Sequence, residues 1–483
     1  MGTSLSRWAW VPAIGLIITL AIVVHPTGGV GPAGAQQSTA TPTPAPAIAP
    51  DAVADYIAAI EGPRHGLGTE AEKTKLGDVA TYIHNQLAGF GLTTVQDDPV
   101  TWRGETFPNV IGTLRGTGCP DVSFIIGAHY DTVNFSPGAD DNASGVAAML
   151  EIARVLSNES FQPSIEFVGF SFEEDGLVGS RQMAAQARAS GKEIAGVLVF
   201  DMIGYTCDEP GCQTYPPGLS GPDIGDFIAV VGNTASAPLL QIFTEASASA
   251  VPALPVSPLE VPGKGETFPH SRRSDHAPFW DQGYRSLMIT DTANFRNPNY
   301  HQATDTLGTV NVDFTADVAN AALAAVIESV IPDYDADGMV NACDPDDDND
   351  GCADGEEVAA APAPKPGSTG AYDPLAWYDF YDVPVPANND PTPNGTRNRA
   401  VNLQDAVGVL NYVGSSDNGP SNGRVDYDSD KDGDTIDDGR DYDRSPGPLP
   451  NPPYDAGPPD GTVNLQDVVM VLKQVGLACT GVP

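Results

Sequence analysis

The chain has 483 residues, and its 64 acidic and 23 basic side chains give a formal net charge of −41 at pH 7. This length allows two or three domains. A chain this acidic repels nucleic acid and anionic lipid, which excludes both as expected partners. Acidity alone indicates solubility, so a cation-binding role has to be argued from the spacing of the acids.

The N-terminus is typical of an export signal. Arg7 is the only charge before the apolar run WVPAIGLIITLAIVV, and the small residues AGA at 33–35 offer a cleavage site. We therefore expect a signal peptide over 1–35, with an uncleaved membrane anchor as the alternative. A linker rich in Pro and Thr follows over 36–50. The mature protein is expected to be secreted, with no membrane association after cleavage.

Export also permits disulfides, because the extracellular environment is oxidising. Cys207 and Cys212 could close a small loop, and Cys343 and Cys352 could close another. This leaves Cys119 and Cys479 without an evident partner.

The globular pattern begins near Asp51. Apolar residues at helical spacing predict helices over 69–91 and 143–156. Strands buried on both faces are predicted from uninterrupted apolar runs. These runs cover 109–116, 122–130, 164–172 and 194–204. Such strands alternating with helices indicate an α/β domain over 51–331, with a mostly parallel central sheet flanked by helices.

Polar side chains follow three of these strands at their carboxyl ends. His129 and Asp131 close the second strand, Glu173 and Glu174 follow the third, and Asp201 lies in the fourth just past its apolar run. Ligand sites in open α/β sheets lie beyond the carboxyl ends of the strands, so these groups are expected on one rim. Carboxylates this close repel one another unless a cation neutralises them. Imidazole combined with carboxylates favours a divalent transition metal, zinc above all.

Six short segments, in this order, resemble the di-zinc aminopeptidases, metallopeptidases related to glutamate carboxypeptidases and glutaminyl cyclases. They read GAHYDT, GADDNASG, FSFEEDGLVGS, FDMIG, RRSDHAPF and YHQATDTL, and the resemblance covers about 51–330. It implies a zinc exopeptidase fold and an aminopeptidase that releases N-terminal residues through a water activated by two zincs. The alternatives are a carboxypeptidase or glutaminyl cyclase-like enzyme on the same metals, and a non-catalytic binding relative.

The resemblance also assigns metal ligands. It implies two zinc ions that share one bridging carboxylate, that of Asp141. The neighbouring Asp140 has no role in the family and is expected to be a surface turn residue. The remaining implied ligands are His129 and Asp201 for the first zinc, and Glu174 and His301 for the second.

Further residues take their implied roles from the same segments. Glu173 matches the general base, and Tyr300 matches a tyrosine that donates a hydrogen bond to the oxyanion. Asp131 matches the acid that orients the first zinc's histidine. Arg273 and His276 match a segment that lines the family's site, so both are expected near the substrate or directly behind the residues that contact it.

Two calcium-loop patterns follow the α/β domain, back to back over 332–357. Acids, an Asn and a Gly fall at the loop positions that supply oxygen ligands and the sharp turn. This spacing resembles thrombospondin type 3 repeats and dockerins, which bind calcium. The expected calcium ligands are Asp333, Asp335, Asp337, Asn341, Asp344, Asp346, Asp348, Asp350, Asp354 and Glu357.

A Pro/Ala linker over 358–370 leads to a repeat-containing region over 371–483. AVNLQDAVGVLNYVG and TVNLQDVVMVLKQVG recur within it and resemble the calcium-loop and helix units of a dockerin. We therefore expect a small calcium-loop and helix module after the α/β domain. A cohesin-like or cell-surface protein is its candidate partner, alongside a peptide or protein substrate for the enzyme.

Overall fold

The computed structural model describes residues 48–331 and 339–343, which form an eight-stranded mixed sheet with helices packed against it. The strands are β1 (Thr94–Trp102), β2 (Glu105–Leu114), β3 (Cys119–His129), β4 (Pro163–Phe170), β5 (Glu193–Phe200), β6 (Ile228–Asn233), β7 (Val256–Val261) and β8 (Ser286–Thr290). The α-helices are α1 (Pro50–Ile60), α2 (Glu70–Gly89), α3 (Gly145–Leu156), α4 (Val178–Ser190), α5 (Ala237–Ala250), α6 (His276–Gln282) and α7 (Val312–Val330).

The sheet is parallel at its centre and mixed towards its edges. The strand order is β1-β2-β4-β3-β5-β8-β6-β7. Strands β4, β3, β5 and β8 run parallel, while β2 is antiparallel to both β1 and β4, and β6 is antiparallel to β8. The predicted α/β fold with a mostly parallel centre is confirmed. The antiparallel outer strands were not predicted.

The central strands are continuous apolar runs because helices cover both faces of the sheet. Every residue of β4 is buried, as are the last five of β5. The helix predicted over 69–91 is α2, which begins with a capping box between Thr69 and Glu72. The central strands therefore form a rigid base from which the loops at their carboxyl ends extend.

One disulfide differs from the expected pairing. Cys119, at the start of β3, pairs with Cys343, 224 residues later in the chain. Cys343 is therefore not the partner of Cys352. The expected pairing was based on closeness in the sequence. Residues 339–343 instead return to the sheet, where the Val340 amide donates to Gln162 Oε1 at 3.4 Å. Cys207 and Cys212 do form a disulfide.

Within 48–331 and 339–343, no helix combines the length and apolarity needed to cross a bilayer.

Candidate metal centre

Residues from widely separated parts of the chain meet at the carboxyl ends of three neighbouring parallel strands. His129 is the last residue of β3, and Asp201 directly follows β5. Glu173 and Glu174 lie just beyond β4. Asp141 comes from the turn that precedes α3. Because β3 lies between β4 and β5, its histidine is flanked on both sides by carboxylates.

The donor atoms form two adjacent groups. His129, Glu173 and Asp201 make one, and Asp141, Glu174 and His301 make the other; within each group the donor atoms lie within 4.8 Å of one another. By distance alone, Glu173 belongs to the first group as a donor, so its role as a base is not decided by position.

Asp141 faces both groups. Its Oδ1 lies 3.5 Å from His129 Nε2, and its Oδ2 lies 3.3 Å from His301 Nε2. On the outer sides, Asp201 Oδ1 is 3.8 Å from His129 Nε2, and Glu174 Oε2 is 3.3 Å from His301 Nε2. One carboxylate therefore reaches both imidazoles through different oxygens, an arrangement suited to a ligand shared by two metals.

Two buried aspartates hold the backbone that carries these donors. Asp131 accepts the amide hydrogens of Glu173 and Glu174 at 3.1 Å, one on each carboxylate oxygen. Asp305 does the same for Asp140 and Asp141, at 2.9 and 3.0 Å. Each carboxylate thereby fixes two consecutive residues through charge-assisted hydrogen bonds, and so sets the direction of the side chains they carry.

The contact between Asp131 and His129 differs in detail from the expectation. His129 Nδ1 lies 3.3 Å from the main-chain carbonyl of Asp131 and 3.6 Å from its Oδ1. The carbonyl oxygen is thus the nearer acceptor for an Nδ1 hydrogen. This tautomer leaves Nε2 free for a metal. Asp131 orients the histidine mainly through its backbone, while its carboxylate holds the two glutamates.

Burial and crowding raise the pKa values of both glutamates when no metal is bound. Burial, together with the charge of Asp141, raises the pKa of Glu174 to about 7. Burial also raises the pKa of Glu173 well above its usual value. Although burial lowers the pKa of His301, its contacts with Asp141 and Glu174 raise it to about 10. Protons are therefore retained where a cation would otherwise bind.

The donor set fits zinc. Each group offers one imidazole and carboxylate oxygens, which are ligand types of catalytic zinc sites. Their crowding disfavours the fully ionised state unless positive charge is added. In addition, the Asp141 carboxylate faces the imidazole of each group, so the two groups share it. Five side chains are thus suitably placed to hold two metal ions: His129, Asp201, Asp141, Glu174 and His301.

Tyr300 and Arg273 lie at the edge of the metal centre, lining a cavity together with His129 and Glu173. Arg273 Nη2 donates to the Tyr300 hydroxyl at 2.7 Å, and Arg273 Nη1 donates to Asn294 Oδ1 at 2.6 Å. Both residues are thus close enough to the donors to meet a bound substrate.

His276 is not part of this cavity's lining. It is fully buried at the start of α6, where Nε2 lies 2.7 Å from the carbonyl of Ser271 and the ring packs edge-on against Trp280. Burial lowers its pKa to about 4, so the ring is neutral at pH 7. His276 thus lies behind the cavity, beneath the segment that carries Arg273.

A second cavity of about 230 Å³ opens beside the metal centre. Asp201, Arg273 and Tyr300 form the wall that it shares with the donor groups. Its other walls are mainly apolar and come from β6, β7, β8 and the loops around the Cys207–Cys212 disulfide. They include Phe227, Ala229, Val231, Leu259, Phe268, Met288 and Phe295.

Sequence reasoning missed Asp305 and Arg64. Asp305 lies within the quoted segment YHQATDTL, four residues after His301. The sequence therefore showed where the residue stands in the chain but not what its carboxylate does. Arg64 had no motif around it. The calcium ligands expected from the sequence lie outside the described residues, except Asn341.

Metal-free protein should lose stability as pH rises. Glu174 and Asp305 both have a folded pKa of about 7, for Asp305 chiefly through burial, against about 4 when unfolded. The folded state therefore binds more protons than the unfolded state between about pH 4 and 7. His301 extends the same trend above its unfolded value of about 6.5. Asp201 opposes it below about pH 4, because His129 outweighs its burial and lowers its pKa. His276 opposes it between about pH 4 and 6.5, because burial lowers its folded pKa to about 4, but Glu174 and Asp305 together outweigh this one group.

The measurement is the melting temperature of chelated protein between pH 4.5 and 8, where we expect a steady fall. Zinc-loaded protein is the control, and its dependence should be weaker because metal replaces the protons. A melting temperature of the chelated protein that rises over this range would contradict the assignment.

Comparison with known proteins supports the same chemistry. Residues 109–326 match the model of peptidase family M28. The chain is 33% identical to the uncharacterized protein YfbL of Escherichia coli, over 55% of this chain and 90% of that protein. It is 28% identical to a probable zinc metalloprotease of Pyricularia oryzae, over 55% of this chain and 60% of the other. Aminopeptidase YwaD of Bacillus subtilis is 30% identical, over 47% and 45%.

Among solved structures, the LapA aminopeptidase of Legionella pneumophila matches with a TM-score of 0.47 and 21% identity, over 58% of this chain and 72% of that one. The chain thus spans nearly all of YfbL, but less than two thirds of the two named peptidases. Since the relationship to YfbL covers nine tenths of that protein at 33% identity, and the family's model matches the segment that carries the donors, the chain belongs to peptidase family M28 and is a hydrolase of the metallopeptidase type.

Proposed function

We propose that the chain is an aminopeptidase that uses two zinc ions to release N-terminal residues. The observation that carries this proposal is Asp141, whose two oxygens face two different imidazoles at 3.5 and 3.3 Å. The names of YwaD and the probable zinc metalloproteases support both the metal and the direction of cleavage.

Five side chains would hold the metals: His129, Asp141, Glu174, Asp201 and His301. A bound zinc pair supplies Lewis-acid polarisation of water and of the scissile carbonyl. The remaining chemistry falls to the chain's own residues. Glu173, buried and with a raised pKa, accepts a proton from water and passes it to the leaving amine. Tyr300 donates its hydroxyl hydrogen to the carbonyl oxygen as negative charge develops there.

The apolar cavity supports a preference for N-terminal residues with large apolar side chains. It adjoins the donor groups through Asp201 and Tyr300, so the side chain next to the cleaved bond can enter it. Burying such a side chain among Phe227, Val231 and Met288 is favourable by about 25 cal/mol per Å² of apolar surface. A charged side chain would lose its hydration there without a described counter-charge on the apolar walls.

Replacing Glu173 with Gln tests its role. We expect both zincs to remain bound, because a base is not a ligand, and turnover to fall by roughly two to four orders of magnitude. Glu174→Gln is the matched control on the next residue and should lose zinc. Zinc analysis and kinetics on aminoacyl-4-nitroanilides measure both. If Glu173→Gln loses zinc while Glu174→Gln keeps it, the two roles are exchanged.

The same assay, run with N-blocked peptides, tests the direction of cleavage. Free N-termini should be required. Hydrolysis confined to blocked peptides would favour a carboxypeptidase, and cyclisation of N-terminal Gln would favour a glutaminyl cyclase-like enzyme. Zinc binding with no turnover in either assay would favour a non-catalytic relative.

Filling the cavity should change side-chain preference. Ala229 lines it from β6, so Ala229→Leu removes space for the substrate. We expect kcat/KM for leucyl substrates to fall by roughly tenfold, the lower part of the range for one mismatched apolar group, and alanyl substrates to change less. Ala250→Leu, at the exposed end of α5, is the control. Equal losses for leucyl and alanyl substrates would show that the cavity does not bind the substrate side chain.

We further propose that the enzyme is secreted through the signal peptide over 1–35 and that residues 332–483 form a calcium-binding module. The acid spacing of 333–357 supports the calcium, and the NLQD repeats support a cohesin-like or cell-surface partner. Binding calcium would supply folding free energy to this module.

Limited proteolysis tests the calcium proposal. Removing calcium with a selective chelator, in buffer that keeps zinc saturated, should expose sites after residue 331 to cleavage while peptidase activity is retained. Magnesium in place of calcium is the control. Cleavage of the C-terminal region that is identical with and without calcium would refute the module's calcium dependence.

A further inference from the structure

Arg64 is a fully buried arginine with an unusual set of partners. Its guanidinium donates four hydrogen bonds, all to main-chain carbonyl oxygens. Nε reaches Tyr130 at 2.7 Å, Nη1 reaches Gly62 at 3.1 Å and Pro137 at 2.7 Å, and Nη2 reaches Gly138 at 2.8 Å. In the part of the chain that the structure describes, it makes no ion pair with a carboxylate, although a buried charge ordinarily requires one.

Three of these four carbonyls belong to one segment, residues 130–138, which we call the ligand loop. It begins directly after His129 and ends three residues before Asp141. Thr132 adds a second attachment, because its hydroxyl accepts the Arg64 amide at 3.1 Å and its own amide donates to the Arg64 carbonyl at 3.3 Å. The two ends of the ligand loop are thus tied to one side chain.

The geometry of a guanidinium explains why this position requires arginine. Its donors lie in one plane in a fixed fork, so they can hold several carbonyls at set angles. A lysine ammonium keeps the charge but presents its hydrogens from a single point. Gly138 also leaves little space, because a Cβ placed there would lie 3.0 Å from Arg64 Nη2 and 2.3 Å from Thr132 Cγ2.

The charge of Arg64 also acts on the metal centre. Although burial lowers the pKa of Arg64 to about 10, the side chain stays protonated at pH 7. The charges that oppose this lowering are those of Asp305, Asp131, Asp141 and Glu174. Arg64 therefore adds a positive charge that interacts with these four carboxylates.

We propose that Arg64 is a positioning residue for the zinc centre: by clamping both ends of the ligand loop, it holds His129 and Asp141 at their metal-binding separation before metal arrives. Zinc then binds without having to order this loop, and the saved ordering cost appears as affinity. The inference rests on the proposed zinc assignment and extends it to a residue that touches neither metal nor substrate.

Arg64→Lys in the full chain keeps the positive charge but removes the planar set of donors that holds the carbonyls. We expect zinc affinity, measured by competition with a chromogenic chelator, to fall by about 10- to 100-fold, the usual effect of disturbing groups behind metal ligands. The absorption spectrum of the cobalt(II)-loaded variant should also change, because the angles between ligands change.

Arg296→Lys is the matched control: Arg296 is also buried, but its guanidinium donates to Gln213 and Tyr205. Its zinc affinity and cobalt spectrum should stay near wild type.

A purely structural role would lower the melting temperature of the metal-free Arg64→Lys protein and leave zinc affinity and the cobalt spectrum unchanged, and this result would overturn the proposal. If Arg64→Lys does not fold, Thr132→Val removes one hydrogen bond of the clamp with little change in side-chain volume. We then expect roughly threefold weaker zinc binding, and unchanged binding would overturn the proposal. Failure of the wild-type chain to bind zinc would instead refute the proposed function.

Discussion

The architecture of the site depends on keeping several carboxylates close together in a buried place. Asp141 lies between two imidazoles, with Asp201 and Glu174 on the outer sides. In water these groups would separate, because like charges repel and ions prefer hydration. They stay together because the backbone that carries them is fixed and because positive charge is available, as protons without metal or as zinc when it is bound.

Two buried aspartates hold that backbone in the same way. Asp131 holds the consecutive amides of Glu173 and Glu174, and Asp305 holds those of Asp140 and Asp141. Each anchoring carboxylate uses both oxygens on the main chain, so it supports the donors without competing for metal. Asp131 lies two residues after the end of β3, in the parallel centre of the sheet, where strands buried on both faces limit the movement of the loops.

The sequence was sufficient for the fold class and for placing His129, Glu174 and Asp201 on one rim, because strand ends in a parallel sheet have known positions. Asp141 and His301 do not follow strands directly, and only the family resemblance assigned them. It was not sufficient for residues whose surroundings are assembled from distant segments. Asp140 was expected at the surface, but it is fully buried and accepts hydrogen bonds from Gly204 and Asn297. Arg64 was overlooked because charged residues are usually exposed, and nothing local indicates four carbonyls around it. The Cys119–Cys343 disulfide was not predicted for the same reason, since its two cysteines lie 224 residues apart in the chain.

The metal centre and the apolar cavity adjoin each other, and Arg273 and Tyr300 line both. A phenol oxygen can accept hydrogen bonds while its single hydrogen is donated once. Because the Tyr300 oxygen accepts from Arg273 at 2.7 Å, its hydrogen remains available for a substrate carbonyl. Arg273 is itself held by Asn294, on the loop that also supplies cavity residues Ala293 and Phe295. The cavity that would receive the substrate side chain and the hydroxyl that would meet the carbonyl are therefore held in place by one connected set of contacts.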